Sequence, residues 1–141
     1  MQQKLQTRAF ERVASLLHPG EQPIAAARAM VGAFTASRAG TIAHHGVVLA
    51  GAGAGSAALA AHRKQFVVVT NYRVFFLPQT ILGGPGKTVL AELPRTQVAL
   101  AEAKIGFASI LRLAFSGTDG VSLTFPRSDQ KNAVALAESL R

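Results

Sequence analysis

Cysteine and tryptophan are absent from this 141-residue chain, and tyrosine occurs only once. The lack of cysteine excludes disulfides, thiolate nucleophiles and cysteine-based zinc sites. Acidic residues are also few: seven Asp and Glu stand against fifteen Lys and Arg, which leaves a formal net charge of +8. Charged residues make up 16% of the chain and hydrophobic residues 49%, so a disordered tail protein is excluded. This length corresponds to one domain with a sizeable core.

The residues that usually carry catalysis are missing or dispersed. There is no G-x-S-x-G pattern, and the carboxylates show no paired spacing along the predicted helices and turns. The adjacent His44 and His45 cannot share one helix face, and no carboxylate lies close to them in the sequence. The sequence therefore predicts a protein that is not an enzyme, holds no metal or cofactor and takes no small-molecule substrate.

Hydrophobic periodicity predicts a helix, about seven short strands and a second helix, in that order. Residues 2–17 repeat apolar positions with the helical period, and His18-Pro19-Gly20 is expected to end that helix. Strands are predicted at residues 24–34, 65–70, 73–78, 88–93, 97–104, 110–115 and 121–125. A final amphipathic helix is predicted to begin with Ser128 as its cap. Strands do not alternate with helices, which favours an antiparallel barrel or sandwich over a parallel sheet.

The glycine-rich run at residues 83–88 has some likeness to a phosphate-binding loop. That pattern requires a glycine five residues before Gly86, where Ile81 stands, and it requires a helix after the loop rather than a strand. The run is therefore predicted to be an exposed hairpin loop.

Residues 41–61 carry no formal charge and include eight Ala and four Gly. Their number fits a membrane span, but Ala and Gly supply little apolar area, and basic residues flank the stretch on both sides. We predict a loop or short helix inserted in a soluble domain, with a membrane span as the alternative. No signal peptide is recognised at the start of the chain. The expected location is the cytoplasm, with peripheral attachment at the inner membrane face as a refinement.

Four sequence elements, taken in order, resemble the bacterial (actinobacterial-type) pleckstrin-homology-like domains, relatives of the PH and GRAM families. They are His18-Pro19-Gly20-Glu21 before a strand, the hairpin at residues 66–77, the Pro94-containing element at residues 92–98, and a closing strand–Asp119-Gly120–strand followed by a helix. The resemblance implies an α+β fold with a PH-like, seven-stranded antiparallel bent sheet or barrel, capped by a C-terminal helix. An N-terminal amphipathic helix at residues 1–17 is added to a PH-like domain at 18–141, with an Ala/Gly-rich insertion at about 35–62. The resemblance also implies a binding module for lipid headgroups or peptides, without catalysis.

Basic residues are the clearest functional signal. Lys4, Arg8 and Arg12 are spaced four apart and share one edge of the predicted N-terminal helix. Further candidate anion ligands flank the Ala/Gly segment or lie at strand ends and turns: Arg38, Arg63, Lys64, Arg73 and Lys87. Apolar residues that could contact a membrane or a partner lie between the basic flanks: Val47, Val48, Leu49 and Leu59. Peripheral membrane binding is usually built from such cations around an apolar wedge, whereas a soluble surface that is merely basic is the plain alternative.

The sequence thus predicts a non-catalytic binding or scaffold module for an anionic membrane surface or lipid headgroup. One alternative is a protein-interaction module, including a homo-oligomer formed through the Ala/Gly segment or the N-terminal helix. The other is a basic accessory protein to nucleic acid. This last alternative is the weaker one, because the phenylalanines fall mostly at apolar strand positions and are expected in the core, which leaves no stacking platform.

Overall fold

A computed structural model describes residues 3–34, 64–81, 83–116 and 120–141 of the chain. Two helices and seven strands lie within these residues. The helices are α1 (Gln3–Ala14) and α2 (Gln130–Ser139). The strands are β1 (Pro23–Phe34), β2 (Lys64–Thr70), β3 (Arg73–Pro78), β4 (Ala91–Pro94), β5 (Val98–Lys104), β6 (Ser109–Phe115) and β7 (Gly120–Phe125). They form one antiparallel bent sheet in the order β4-β3-β2-β1-β7-β6-β5. The predicted α+β, PH-like architecture is confirmed.

The main core lies on the inner face of the sheet. Successive residues of a strand point to opposite faces, so Ala25, Ala27 and Ala29 of β1 all join this core. Helix α2 covers it with the side chains of Leu136 and Ala137, which are almost completely buried. The small side chains of β1 allow α2 to pack close to the strand. The prediction that the final helix packs on the sheet is therefore confirmed.

A second apolar cluster lies on the outer face of the same sheet. Phe66, Phe75 and Leu77 belong to it, and α1 closes it from outside with Ala9 and Val13, all fully buried. Strands β2 and β3 are thus buried on both faces. This double burial explains why their sequences are continuous apolar runs instead of alternating ones.

Helix α1 is shorter than the predicted range of residues 2–17. It ends at Ala14, and a tight turn follows in which the Leu16 N–H donates to the Val13 carbonyl at 2.8 Å. The breaker residues His18-Pro19-Gly20 therefore lie beyond a helix that has already ended. Neither α1 nor α2, the helices of the described residues, has the length and apolar character needed to cross a membrane.

Helix α2 does not begin with Ser128 as its cap, so that prediction is wrong. A 3-10 turn at Arg127–Asp129 precedes the helix, and its N-cap residue is Asp129. The Asp129 side chain is buried and makes no capping hydrogen bond, because it lies between Arg28 at 3.8 Å and the side-chain amide of Asn132 at 3.3 Å.

Strand β4 begins at Ala91, three residues later than predicted. The preceding connector stays irregular, and pairing with β3 starts where the Leu90 N–H donates to the Phe76 carbonyl at 2.7 Å. The strand continues through Pro94, which was expected to end it.

Strand β5 forms one edge of the described sheet. Its pairing with β6 shifts between Leu100 and Glu102, which leaves Ala101 as an extra residue in β5. The other edge is the four-residue β4. The short 3-10 turn at Arg95–Gln97 connects these two edge strands along the chain.

Candidate functional site

Helix α1 and the connector between β3 and β4 form the walls of an open cleft of about 1090 Å³. Five residues of α1 and the turn after it line one wall: Arg8, Glu11, Arg12, Ser15 and Leu16. Five residues of the connector line the other: Thr80, Ile81, Gly84, Pro85 and Lys87. Residues more than seventy positions apart in the sequence thus meet at one surface.

The apolar edge of α1 determines which side chains face the cleft. Ala9 and Val13 are fully buried against the outer cluster, so Arg8 and Arg12 on the neighbouring edge of the helix lie beside the connector. The Arg12 Nε–H donates to the Pro85 carbonyl at 3.2 Å. Arg8 lies beside the same loop, because a Cβ at Gly84 would be 3.6 Å from its guanidinium.

The β3–β4 connector is a narrow hairpin loop, but the prediction that the glycine-rich run is exposed is wrong for Gly84, Pro85 and Gly86, which are buried. Both the N–H and the side-chain hydroxyl of Thr80 donate to the Gly84 carbonyl, at 2.8 and 3.0 Å. Gly83 has a φ of 92°, in the left-handed region that favours glycine. The closed loop projects Ile81 at its tip, where the side chain is completely exposed.

The cleft carries a surplus of positive charge. Arg8, Arg12 and Lys87 face it against the single carboxylate of Glu11. Within the described ranges, none of these three cations forms an ion pair. Four cations outside the cleft, Arg28, Arg73, Lys104 and Arg112, each pair with a carboxylate instead. The cleft is therefore a place where positive potential remains available to an anion.

Arg73, a candidate anion ligand from the sequence, is the centre of a salt-bridge cluster instead. Its guanidinium donates to both carboxylate oxygens of Glu21, at 2.6 and 3.1 Å, and to Glu92 at 2.8 Å. A fourth hydrogen bond reaches the Leu16 carbonyl at 2.7 Å, just beyond α1. With its donors committed and its side chain only 15% exposed, Arg73 is removed from the candidate site.

The ionisation of Glu21 reflects this environment. Hydrogen bonding from Arg73 lowers the pKa of Glu21 to about 2, against the opposing effect of burial, and the Thr70 hydroxyl contributes by donating to the same carboxylate at 2.6 Å. The same pairing with Glu21 raises the pKa of Arg73. Glu21 and Glu92 thus converge on one arginine, which the sequence interpretation of dispersed carboxylates missed.

The structure brings together three of the predicted basic residues and separates others from them. Arg8, Arg12 and Lys87 line the cleft, whereas Lys4 of the same helical stripe and Lys64 at the exposed start of β2 do not. The remaining candidates lie outside the described residues: Arg38, Arg63, Val47, Val48, Leu49 and Leu59. The predictions made for the stretch at residues 41–61 lie outside them as well.

Sequence reasoning missed the connector residues of the cleft. Gly84 and Pro85 were interpreted only as part of an exposed hairpin loop, and Thr80 and Ile81 were assigned to no element. The apolar pair Ile81-Leu82 before the glycine-rich run was the available signal, because apolar residues outside a strand have no strand partner to bury them.

A second exposed feature lies on the connector between β5 and β6. Phe107 is 78% exposed, and the Arg127 guanidinium carbon lies 5.7 Å from the centre of its ring. Ile105 on the same connector is 41% exposed. The expectation that phenylalanines on strands are core residues is confirmed for Phe66, Phe75, Phe76, Phe115 and Phe125, whereas Phe107 lies on a connector and is exposed.

The chemistry of the cleft suits an oxyanion. Guanidinium groups present several N–H donors in a planar arrangement that matches phosphate or carboxylate oxygens, and the lysine adds a mobile point charge. In the ranges that the structure describes, no group of three or more His, Asp or Glu residues is placed to hold a metal ion.

Comparison with known proteins gives no match to this chain, whether with family models, with curated proteins or with solved structures. Geometry and charge are therefore the grounds on which the cleft is interpreted.

Proposed function

We propose that this chain is a non-catalytic binding module, of the PH-like or GRAM-like type, which associates with anionic membrane surfaces through the cleft between α1 and the β3–β4 connector. One observation carries the proposal: Arg8, Arg12 and Lys87 converge from two elements without carboxylate partners, beside the fully exposed Ile81. Cations that surround an exposed apolar side chain are the usual composition of a peripheral membrane contact.

The magnitudes predict weak and reversible binding. Each basic residue near an anionic surface contributes about 1 kcal/mol, and the surplus in the cleft is two positive charges once Glu11 is included. Transfer of an isoleucine side chain from water contributes roughly 2 kcal/mol when it is complete. The sum is a few kcal/mol, so attachment should depend strongly on ionic strength and on the fraction of anionic lipid.

Vesicle flotation tests the proposal. The purified protein is mixed with phosphatidylcholine vesicles, with or without 30% phosphatidylglycerol, at low and high NaCl. Wild type is expected to float only with the anionic vesicles at low salt. Lys87→Glu and Arg8→Glu should each lose most of this binding, because each reverses a charge inside the cleft.

Arg141→Glu provides the matched control. It makes the same charge change at an exposed residue just after α2, the helix that packs on the opposite side of the sheet from α1. Equal losses of flotation in Arg141→Glu and Lys87→Glu would show that net charge alone is responsible and would contradict binding at the cleft. Absence of wild-type flotation under every condition would reject membrane binding.

The apolar contribution is tested separately with Ile81. Ile81→Ser should weaken flotation while Ile81→Phe retains it, because a bilayer contact depends on the apolar area at the loop tip. The side chain at position 81 is fully exposed in the free protein, so neither substitution should alter the unfolding temperature.

A further inference from the structure

We propose that the β5–β6 connector is a second binding site, which takes single-stranded nucleic acid by stacking a base on Phe107. The site goes beyond the membrane contact proposed above and shares no residue with the cleft. Its basis is an exposed aromatic ring with an arginine over one of its faces.

A turn in the connector carries the ring. Within this turn the Gly106 N–H donates to the Ser109 hydroxyl at 3.4 Å. Arg127 covers one face of the ring, so the exposed 78% of the residue includes the other face and the ring edge. A base that stacks there is enclosed on one side by Phe107, while Arg127 stays free to donate to a neighbouring phosphate.

Two exposed cations on the segment that follows β7 could contact a phosphate backbone. Arg127 lies in the 3-10 turn and Lys131 in the first turn of α2, four residues further along the chain; in the described ranges neither forms an ion pair. Asp129 lies between them in sequence, but it is 1% exposed and faces Arg28, so its charge is directed away from the surface. Lys104 precedes the connector and forms an ion pair with Glu102 at 3.6 Å.

The position of Arg127 favours a stacked base over an inserted ring. Insertion of the Phe107 ring into hydrocarbon would separate it from Arg127, whose charge stays among the headgroups, so the contact between ring and guanidinium would be lost. A base uses the open face and leaves the arginine in place. Aromatic stacking accepts any base, so the site should bind without strong sequence preference.

Fluorescence anisotropy with labelled oligonucleotides tests this inference. The probes are a 12-nucleotide oligo-dT, an abasic strand of the same length and charge, and a 12-base-pair duplex. Wild type should bind oligo-dT more tightly than either of the others. Neutralisation of two phosphates predicts a slope of about −1.4 for log affinity against log salt.

Variants at the ring identify the contact. Phe107→Ala should weaken oligo-dT binding by about fivefold or more, as the loss of one stacked base does. Phe107→Leu should be similarly weak, because it keeps an apolar side chain and removes the aromatic face. Ile24→Ala is the matched control, since it truncates an exposed apolar side chain on β1, outside both proposed sites, and should bind like wild type.

Three results would overturn the proposal. Equal binding of the abasic strand would show that charge alone is responsible. Wild-type affinity in Phe107→Ala would remove the ring from the site. Loss of vesicle flotation in Phe107→Ala, with no oligo-dT binding by wild type, would assign the ring to a membrane. Failure of the cleft is distinguishable from all three, because Lys87→Glu should lose flotation and retain its preference for oligo-dT over the abasic strand.

Discussion

At the scale of single residues, the Glu21–Arg73 pair is a buried ion pair joined by two hydrogen bonds. The Glu21 side chain is fully buried, and its carboxylate accepts hydrogen bonds from Arg73, the Thr70 hydroxyl and the His18 N–H. Removal of one member of a buried pair leaves the other charge desolvated, which costs more than the intact pair contributes. Arg73 also pairs with Glu92 on its exposed side, and this gives an internal comparison.

Glu21→Gln should lower the free energy of unfolding at pH 7 by about 3 kcal/mol, because Arg73 loses its buried counter-charge. Glu92→Gln removes the same charge from the same arginine, but the Glu92 side chain is 45% exposed, so its loss should be below about 1 kcal/mol. Urea denaturation of both variants measures the difference. Equal losses of unfolding free energy in the two variants would show that burial of the Glu21–Arg73 pair is not the source of its stabilising effect.

The lowered pKa of Glu21 also predicts a pH dependence. A carboxylate whose pKa is about 2 in the folded state and about 4.5 when unfolded contributes stability that is complete above pH 4.5 and is lost as pH falls toward 2. Wild type should therefore lose stability over this window, and Glu21→Gln should lose less. Urea midpoints at pH 7, 4 and 3 measure this. If the urea midpoints of the two proteins fell equally with pH, Glu21 would be ruled out as the titrating group.

At the scale of elements, α1 is held by three different contacts. Its apolar edge packs on the outer cluster, Arg12 donates to the β3–β4 connector, and Arg73 donates to Leu16 just after its end. A helix of twelve residues is marginal alone in water, so its helicity depends on this docking. The cleft consequently exists only while α1 is docked.

Val13→Asp should release α1, because it places a charge in the fully buried outer cluster. We expect increased binding of an apolar dye such as ANS, reduced flotation with anionic vesicles and retention of the sheet by circular dichroism. Ala14→Asp introduces the same residue at the next, exposed position and should change none of these. Dye binding in both variants alike would implicate the helix end rather than its docking.

At the scale of the whole molecule, the pattern of strands could be predicted from the sequence, and the meeting of distant side chains could not. The β2–β3 hairpin follows from two continuous apolar runs separated by Asn71 and Tyr72, and the structure places both strands within one residue of the prediction. Lys87 and Arg8 were named separately from sequence. No spacing rule brings them together, because their proximity depends on the docking of a helix across the sheet.

Some misses have local physical causes. Phe107 was not singled out from the sequence, because it follows Gly106 in a predicted connector, where strand alternation does not determine burial. Arg73 was assigned to ligand binding because a basic residue at a turn is usually exposed. The two glutamates that neutralise it lie 52 and 19 positions away along the chain.

The edge formed by β5 has a consequence for the behaviour of the protein at high concentration. An exposed edge strand is a template on which another chain can add a strand, and this is a common route to aggregates and fibrils. The extra residue at Ala101 breaks the regular row of backbone donors and acceptors, and Lys104 places a charge at the end of the strand. An incoming strand would lose its register after a few residues, so one irregular alanine helps to keep the molecules apart.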